Sequence, residues 1–184
     1  MDDRTVLRKR LEEKLRRCIQ FGRIRLSSGK ETDFYFDGRL VSLDPEGSVL
    51  IAELMLDEIG KSERVDAVGG LTSGADPLTS SIGVLAHQRG IPLKLFYVRK
   101  EAKTHGMGKQ IEGPPLPRGA RALVVDDVIT TGKSILLARD ALREAGAEPV
   151  GALAIVDREE GGRQTLEREG LRVAALFRKS DFLA

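Results

Sequence analysis

A single cysteine, Cys18, rules out an internal disulfide in this 184-residue chain and fits a reducing cytosolic setting, with the thiol expected in a core. The two histidines, His87 and His105, lie far from each other and from Cys18, so no zinc-like ligand spacing occurs. Any metal is expected to arrive with a substrate. No apolar run approaches the roughly twenty residues that span a bilayer, and the opening Met1-Asp2-Asp3 is acidic with no signal-like apolar stretch. A soluble, cytoplasmic protein with no membrane partner is the expectation. Charge of one sign is missing too: 30 Lys and Arg face 28 Asp and Glu, a net +2. That balance supplies no global field for nucleic acid, so a phosphate site would have to be local.

With 41% hydrophobic and 32% charged residues, the chain suits one well-filled α/β domain spanning 1–184. Leu7, Leu11, Leu15 and Ile19 recur every fourth residue and predict an opening helix that ends before Phe21-Gly22. Residues 23–27 and 33–37 read as short strands about Ser28-Gly29-Lys30, and Asp44-Pro45-Glu46-Gly47 opens a helix that runs to about Gly60. Strands are predicted at 65–69, 93–98, 121–126, 149–156 and 171–177, with helices near 77–89, 134–145 and 161–169. This alternation is that of a mostly parallel central sheet flanked by helices, in which ligands gather at the strands' carboxyl ends. The one long irregular segment, Lys100 to Gly119, is rich in Gly, Pro and Lys, and such loops are functional or disordered.

The densest chemistry lies where the strand Ala122-Leu123-Val124-Val125 runs into Asp126-Asp127-Val128-Ile129-Thr130-Thr131-Gly132-Lys133-Ser134 and then into a helix. Two acceptor carboxylates suit a vicinal diol. The following turn sits at a helix amino end, where free N–H groups and the hydroxyls of Thr130, Thr131 and Ser134 suit a phosphate. The same residue types also serve an ordinary capped turn. A Walker A loop would need Gly where Asp127 stands, four residues intervening before Gly132-Lys133-Ser134. The run Gly106-x-Gly108 has Ile111 where a dinucleotide fingerprint needs its third Gly. Both nucleotide readings are disfavoured. Upstream, residues 99–109 carry Arg99, Lys100, Lys103, His105 and Lys109 between glycines. This stretch reads either as a solvated basic loop or as a mobile anion clamp.

The segment 126–134 resembles the 5-phosphoribosyl-1-pyrophosphate (PRPP) motif of type I phosphoribosyltransferases. The run Arg99-Lys100-x-x-Lys103-x-His105-Gly106 is similar to the flexible catalytic loop of orotate phosphoribosyltransferases, and four further segments extend the likeness over nearly the whole chain. These are Leu26 to Lys30 with Phe34-Tyr35-Phe36-Asp37, Leu43 to Gly47, Val68 to Leu78, and Val156-Asp157-Arg158-Glu159.

The resemblance implies a type I phosphoribosyltransferase fold with a small N-terminal hood over about residues 1–40 and a catalytic loop over 99–119. It implies transfer of ribose 5-phosphate from PRPP to orotate, giving orotidine 5′-monophosphate and pyrophosphate in pyrimidine synthesis. On the matching positions, Lys103 is the main catalytic residue, with Arg99, Lys100 and His105 as clamp partners. PRPP falls to Asp126, Asp127, Val128, Ile129, Thr130, Thr131, Gly132, Lys133 and Ser134, with Thr72 and Ser73. Orotate falls to Tyr35, Phe36, Thr130 and Arg158, whose planar guanidinium suits a carboxylate. The resemblance further implies Mg2+ carried by PRPP, with no direct protein ligand beyond contact through Asp126 or Asp127. It implies a homodimer whose loop is shared across subunits, Arg99 lying on the opposite side from Lys100. Ser27 and Ser73 depart from members with lysines at those places, and Lys30 is a partial substitute. Two rivals remain at this point: a purine acceptor in place of orotate, and a non-catalytic PRPP sensor acting on nucleic acid.

Overall fold

The computed structural model describes residues 3–25, 29, 31–62, 64–101 and 110–183. Six strands form the central sheet in the order β5-β4-β3-β6-β7-β8, and a separate hairpin pairs β1 with β2. The sheet strands are β3 (Ala67–Leu71), β4 (Lys94–Val98), β5 (Ile111–Glu112), β6 (Arg121–Ile129), β7 (Glu148–Asp157) and β8 (Arg172–Arg178). All neighbouring pairs are parallel except β4 with β5. The hairpin strands are β1 (Ile19–Arg25) and β2 (Glu31–Phe36). The helices are α1 (Asp3–Arg16), α2 (Arg39–Ser42), α3 (Pro45–Gly60), α4 (Asp76–Gln88), α5 (Lys133–Glu144) and α6 (Gly162–Arg168), followed by a 3-10 turn at Lys179–Phe182.

Alternation along β6 and along β7 from Ala152 to Ile155 splits the core into two layers, because successive side chains point to opposite faces of a sheet. Leu123, Val125, Leu153 and Ile155 join Leu50, Met55, Leu78 and Ile82 beneath α3 and α4. Ala122, Val124, Ala152 and Ala154 join Ile135, Ala138 and Leu142 beneath α5. Strands buried on both faces explain the near-continuous apolar runs seen in the sequence.

Asp44 starts α3: its carboxylate accepts the Gly47 N–H at 2.7 Å, and Pro45 occupies the first turn, where a missing donor costs nothing. Lys14 of α1 reaches the same carboxylate at 2.8 Å, so the cap also fastens α1. The expected hood is built from α1 and the hairpin, and it is continuous with the core: Leu11, Leu15, Phe34 and Phe36 belong to the α3–α4 layer.

Three sequence expectations are corrected. The opening helix ends at Arg16, and Ile19 begins β1, paired with Phe36. The four-residue apolar repeat continues past the helix because Ile19 packs against the same core from a strand, so spacing alone could not mark the change. The segment 100–119, expected to be irregular, contains β5, in which Val98 pairs with Ile111 and Tyr97 with Glu112. The short helix α2 carries no periodicity long enough to read, and strands β3, β6 and β7 run one to three residues beyond their expected carboxyl ends.

Candidate active site

β3 hands the chain through α4 to β4 on one side, while β6 hands it through α5 to β7 on the other. The carboxyl ends of β3 and β6 therefore flank the point where strand order reverses, the place where open α/β sheets leave a crevice. β6 pairs with β3 only as far as Val124 but with β7 as far as Ile129, so Asp126 and Asp127 stand beyond the end of β3 pairing, braced from one side. A cavity of about 260 Å3 opens there.

One wall of that cavity is the loop from Thr130 to Ser134 at the start of α5. Gly132 sits in the left-handed region at φ 81°, a backbone shape that L side chains resist, and a Cβ there would also strike Leu166. The opposite wall is the β3–α4 connection, Leu71 to Gly74, together with Arg39 and Lys100. The Thr72–Ser73 peptide is cis, and the Thr72 N–H donates to the Val98 carbonyl at 2.9 Å. Between the walls lie Asp126 and Asp127. A Cβ on Gly74 would come within 2.8 Å of Asp126 Oδ1, so only glycine lets this connection close on the acid pair.

Asp126 is 8% exposed and accepts the Asp127 N–H at 3.0 Å. Burial, followed by the charge of Asp127, pushes its carboxyl from 3.8 up to about 8. Burial raises Asp127 as well, opposed in part by hydrogen bonds and by the nearby Arg39 charge. Two crowded carboxyls that resist ionisation in the free protein are suited to a polyhydroxyl ligand and to cationic company.

Of the residues expected to hold PRPP, Thr72, Ser73, Asp126, Asp127, Val128, Thr130, Thr131, Gly132, Lys133 and Ser134 all line this one cavity. Ile129 does not: its side chain is fully buried beneath α5, which leaves only its backbone to offer. Lys100 lines the cavity, whereas Arg99 pairs with Glu112 at 3.4 Å. Lys103 and His105 lie outside the described residues, as do Ser27, Ser28 and Lys30. Arg39 is the cavity residue that sequence reasoning missed. The only signal was an Asp-Gly-Arg turn after an aromatic strand, which looks like any solvated arginine.

Arg158 is placed beside the same loop because its N–H donates to the Ile129 carbonyl at 2.9 Å. Its side chain is only 11% exposed, and Nη2 reaches Thr32 Oγ1 at 2.8 Å, the Phe34 carbonyl at 2.9 Å and Glu160 at 2.6 Å. Its Nε is buried with no hydrogen-bond partner among the described residues. The hairpin is thus tied to the carboxyl edge of β7. Strand alternation separates the two aromatic candidates: Phe36, 8% exposed, points into the core with Phe34, and half-buried Tyr35 points the other way. The Phe36 ring packs in the core, so at that position the backbone faces the hairpin surface.

Residues 44–169 match the phosphoribosyl transferase domain model. An orotate phosphoribosyltransferase of Aquifex aeolicus is 48% identical over 159 residues, covering 86% of each chain. The chain belongs to the orotate phosphoribosyltransferase family. Among solved structures, the Mycobacterium tuberculosis orotate phosphoribosyltransferase in complex with Fe(III) dicitrate superposes with a TM-score of 0.83 at 41% identity, covering 97% of this chain and 99% of that one. The same organism's enzyme in complex with PRPP superposes with a TM-score of 0.79 at 38% identity, covering 96% and 98%. In this orotate phosphoribosyltransferase family member, the acid pair and the helix-start loop share the crevice between β3 and β6.

Proposed function

We propose that this protein transfers the 5-phosphoribosyl group of PRPP to orotate, releasing orotidine 5′-monophosphate and pyrophosphate for pyrimidine synthesis. One observation carries the reading: the acid pair Asp126 and Asp127 lines a single cavity together with the Thr130 to Ser134 helix start and the cations Arg39 and Lys100. The 5′-phosphate sits against the N–H groups and hydroxyls of the Thr130 to Ser134 loop, where the helix dipole favours negative charge. Asp126 and Asp127 accept hydrogen bonds from the ribose hydroxyls. The C1–O bond to pyrophosphate breaks with its electron pair leaving on oxygen, while the orotate ring nitrogen bonds C1 from the opposite face, inverting it, and loses its N–H proton to water. No protein nucleophile is needed. The residues orient the base, hold the ribose and stabilise the departing charge.

Arg158, whose Nε has no partner among the described residues, supports a carboxylated acceptor, whose carboxylate would exchange with Glu160 at the guanidinium. Tyr35 and the hairpin backbone complete that end. Lys103 supplies the main transition-state donor, aided by Lys100, His105 and Arg99. Asp126 and Asp127 are the carboxylates that would meet Mg2+ carried by the donor, and that ion would neutralise part of the pyrophosphate charge. Mg2+ is a hard cation that keeps part of its hydration shell, so it would be held chiefly by the donor's own oxygens and water.

A homodimer is supported by an apolar groove between α3 and α4, where Leu43, Val49 and Val84 are 67%, 55% and 62% exposed. A loop shared across that interface would bring Arg99 to the partner's site. The single buried cysteine supports the reducing cytoplasm, and the near-neutral net charge of +2 supports small-molecule rather than nucleic-acid partners.

The test is loss of orotate's near-ultraviolet absorbance on mixing protein, PRPP and Mg2+, with adenine, xanthine and uracil in parallel. Turnover with orotate alone is expected. Turnover with a purine would discard the roles of Tyr35 and Arg158, and PRPP binding without turnover would leave a sensor. Lys103→Ala should lower kcat by about 10²–10³, the usual cost of one transition-state donor.

A further inference from the structure

We propose that Arg39, bridged to Ser73, grips the leaving diphosphate of the donor and strengthens its hold as the C1–O bond breaks. This rests on the PRPP reading of the crevice and adds a residue to it.

The placement of Arg39 follows from the turn after β2. Asp37 Oδ1 accepts the Arg39 N–H at 3.1 Å, which shapes the turn. A Cβ on Gly38 would lie 2.7 Å from Asp127 Oδ2, so only glycine lets the turn sit this close to that acid. Arg39 therefore leaves the chain at the rim of the cavity it lines. Its Nη2 donates to Ser73 Oγ at 3.2 Å across that rim, linking the hairpin side to the β3–α4 connection.

The guanidinium makes no ion pair with a carboxylate among the described residues, although its charge is near enough to Asp127 to favour that group's ionised form. An exposed arginine aimed at a polar cavity, with hydroxyl contact only, keeps most of its five donors available.

The order of groups along the cavity decides which part of the donor it meets. With the 5′-phosphate in the Thr130 to Ser134 loop and the ribose diol on Asp126 and Asp127, the substituent on C1 must point to the opposite wall. There the described cations are Arg39 and Lys100. A planar guanidinium can take two phosphate oxygens at once, which a lysine cannot. As C1–O cleaves, both bonding electrons remain on the diphosphate oxygen, so charge grows at the group Arg39 faces. A contact that strengthens in this way contributes to kcat as well as to binding.

The experiment is calorimetric titration of pyrophosphate, PRPP and ribose 5-phosphate, each with Mg2+, into wild type, Arg39→Gln, Arg39→Lys and the double variant Arg39→Gln/Ser73→Lys. Arg39→Gln should weaken pyrophosphate and PRPP by about 10–100-fold, the range for losing a charged hydrogen-bond donor. Ribose 5-phosphate affinity should stay within about twofold, as expected for a contact that group never makes. Arg39→Lys should recover only part of the loss. The double variant should likewise recover part of the loss, because a lysine at position 73 returns a cation to the same rim of the cavity. A melting temperature equal to wild type would show that the exposed substitution leaves the fold intact. Undiminished pyrophosphate affinity in Arg39→Gln, or an equal loss for ribose 5-phosphate, would overturn the role of Arg39 while leaving the donor site standing. A wild-type protein that bound neither PRPP nor pyrophosphate would overturn both.

Discussion

Replacing Asp126 by Asn should make the protein more stable at alkaline pH and less able to hold its donor. The carboxyl is 8% exposed beside a second acid, and no cation hydrogen-bonds to it among the described residues. Its folded-state value near 8 lies above the ordinary 3.8, so protonation favours the folded state. That stabilisation is fully present below about pH 4 and is lost as pH rises through about 8. The gap corresponds to about 5–6 kcal/mol at about 1.4 kcal/mol per pH unit. Local relaxation and water entering the open crevice reduce the realised gain on neutralising the group to about 1–3 kcal/mol. Asn keeps the oxygen that accepts the Asp127 N–H, so no partner is stranded. For a chain of this size, Tm should rise by about 3–10 °C at pH 8.5 and by almost nothing at pH 4. Thermal unfolding followed by circular dichroism at both pH values reads the difference, and PRPP titration should show at least about tenfold weaker binding. A rise of the same size at pH 4, or a fall at pH 8.5, would refute a buried carboxylate as the cause.

Arg158→Ala should raise the KM for orotate by about 10–100-fold and leave the KM for PRPP near wild type, because the guanidinium is bound to the hairpin and not to the donor cavity. Equal effects on both substrates in steady-state kinetics would indicate collapse of the hairpin instead. Asp44→Ala removes the carboxylate that caps α3 and holds Lys14, and should cost about 1–2 kcal/mol in urea unfolding with no change in substrate KM. Val84→Glu places a charge in the apolar α3–α4 groove and should shift sedimentation from dimer to monomer with a loss of turnover. A charged variant that still sediments as an active dimer would move the interface elsewhere.

The cavity wall formed by residues 126–134 was legible because its chemistry is local. The acids, hydroxyls and glycine of residues 126–134 are contiguous, and a strand-to-helix turn needs only near neighbours to form. Helix α3 was legible for the same reason, with Asp44 and Pro45 announcing its start. Ile19 shows the opposite case: its repeat fitted a helix, and pairing with Phe36 decided for a strand. Tyr35 and Phe36 are adjacent in sequence, but once β2 lies on the core they face opposite ways.

Sequence by itself determined the alternation of the main strands and helices, the mostly parallel sheet and the strand-to-helix turn at residues 126–134, because periodicity and turn chemistry act over a few residues. Tertiary structure alone decided which distant side chains converge. Arg39 and Ser73 are separated by 34 positions and meet at 3.2 Å, and Thr32 reaches Arg158 across 126 positions at 2.8 Å. Nothing in the residues near any of these four encodes its partner. Those distances come from burying two faces of one sheet at once, which brings the hairpin, the β3–α4 connection and the end of β6 to a common crevice.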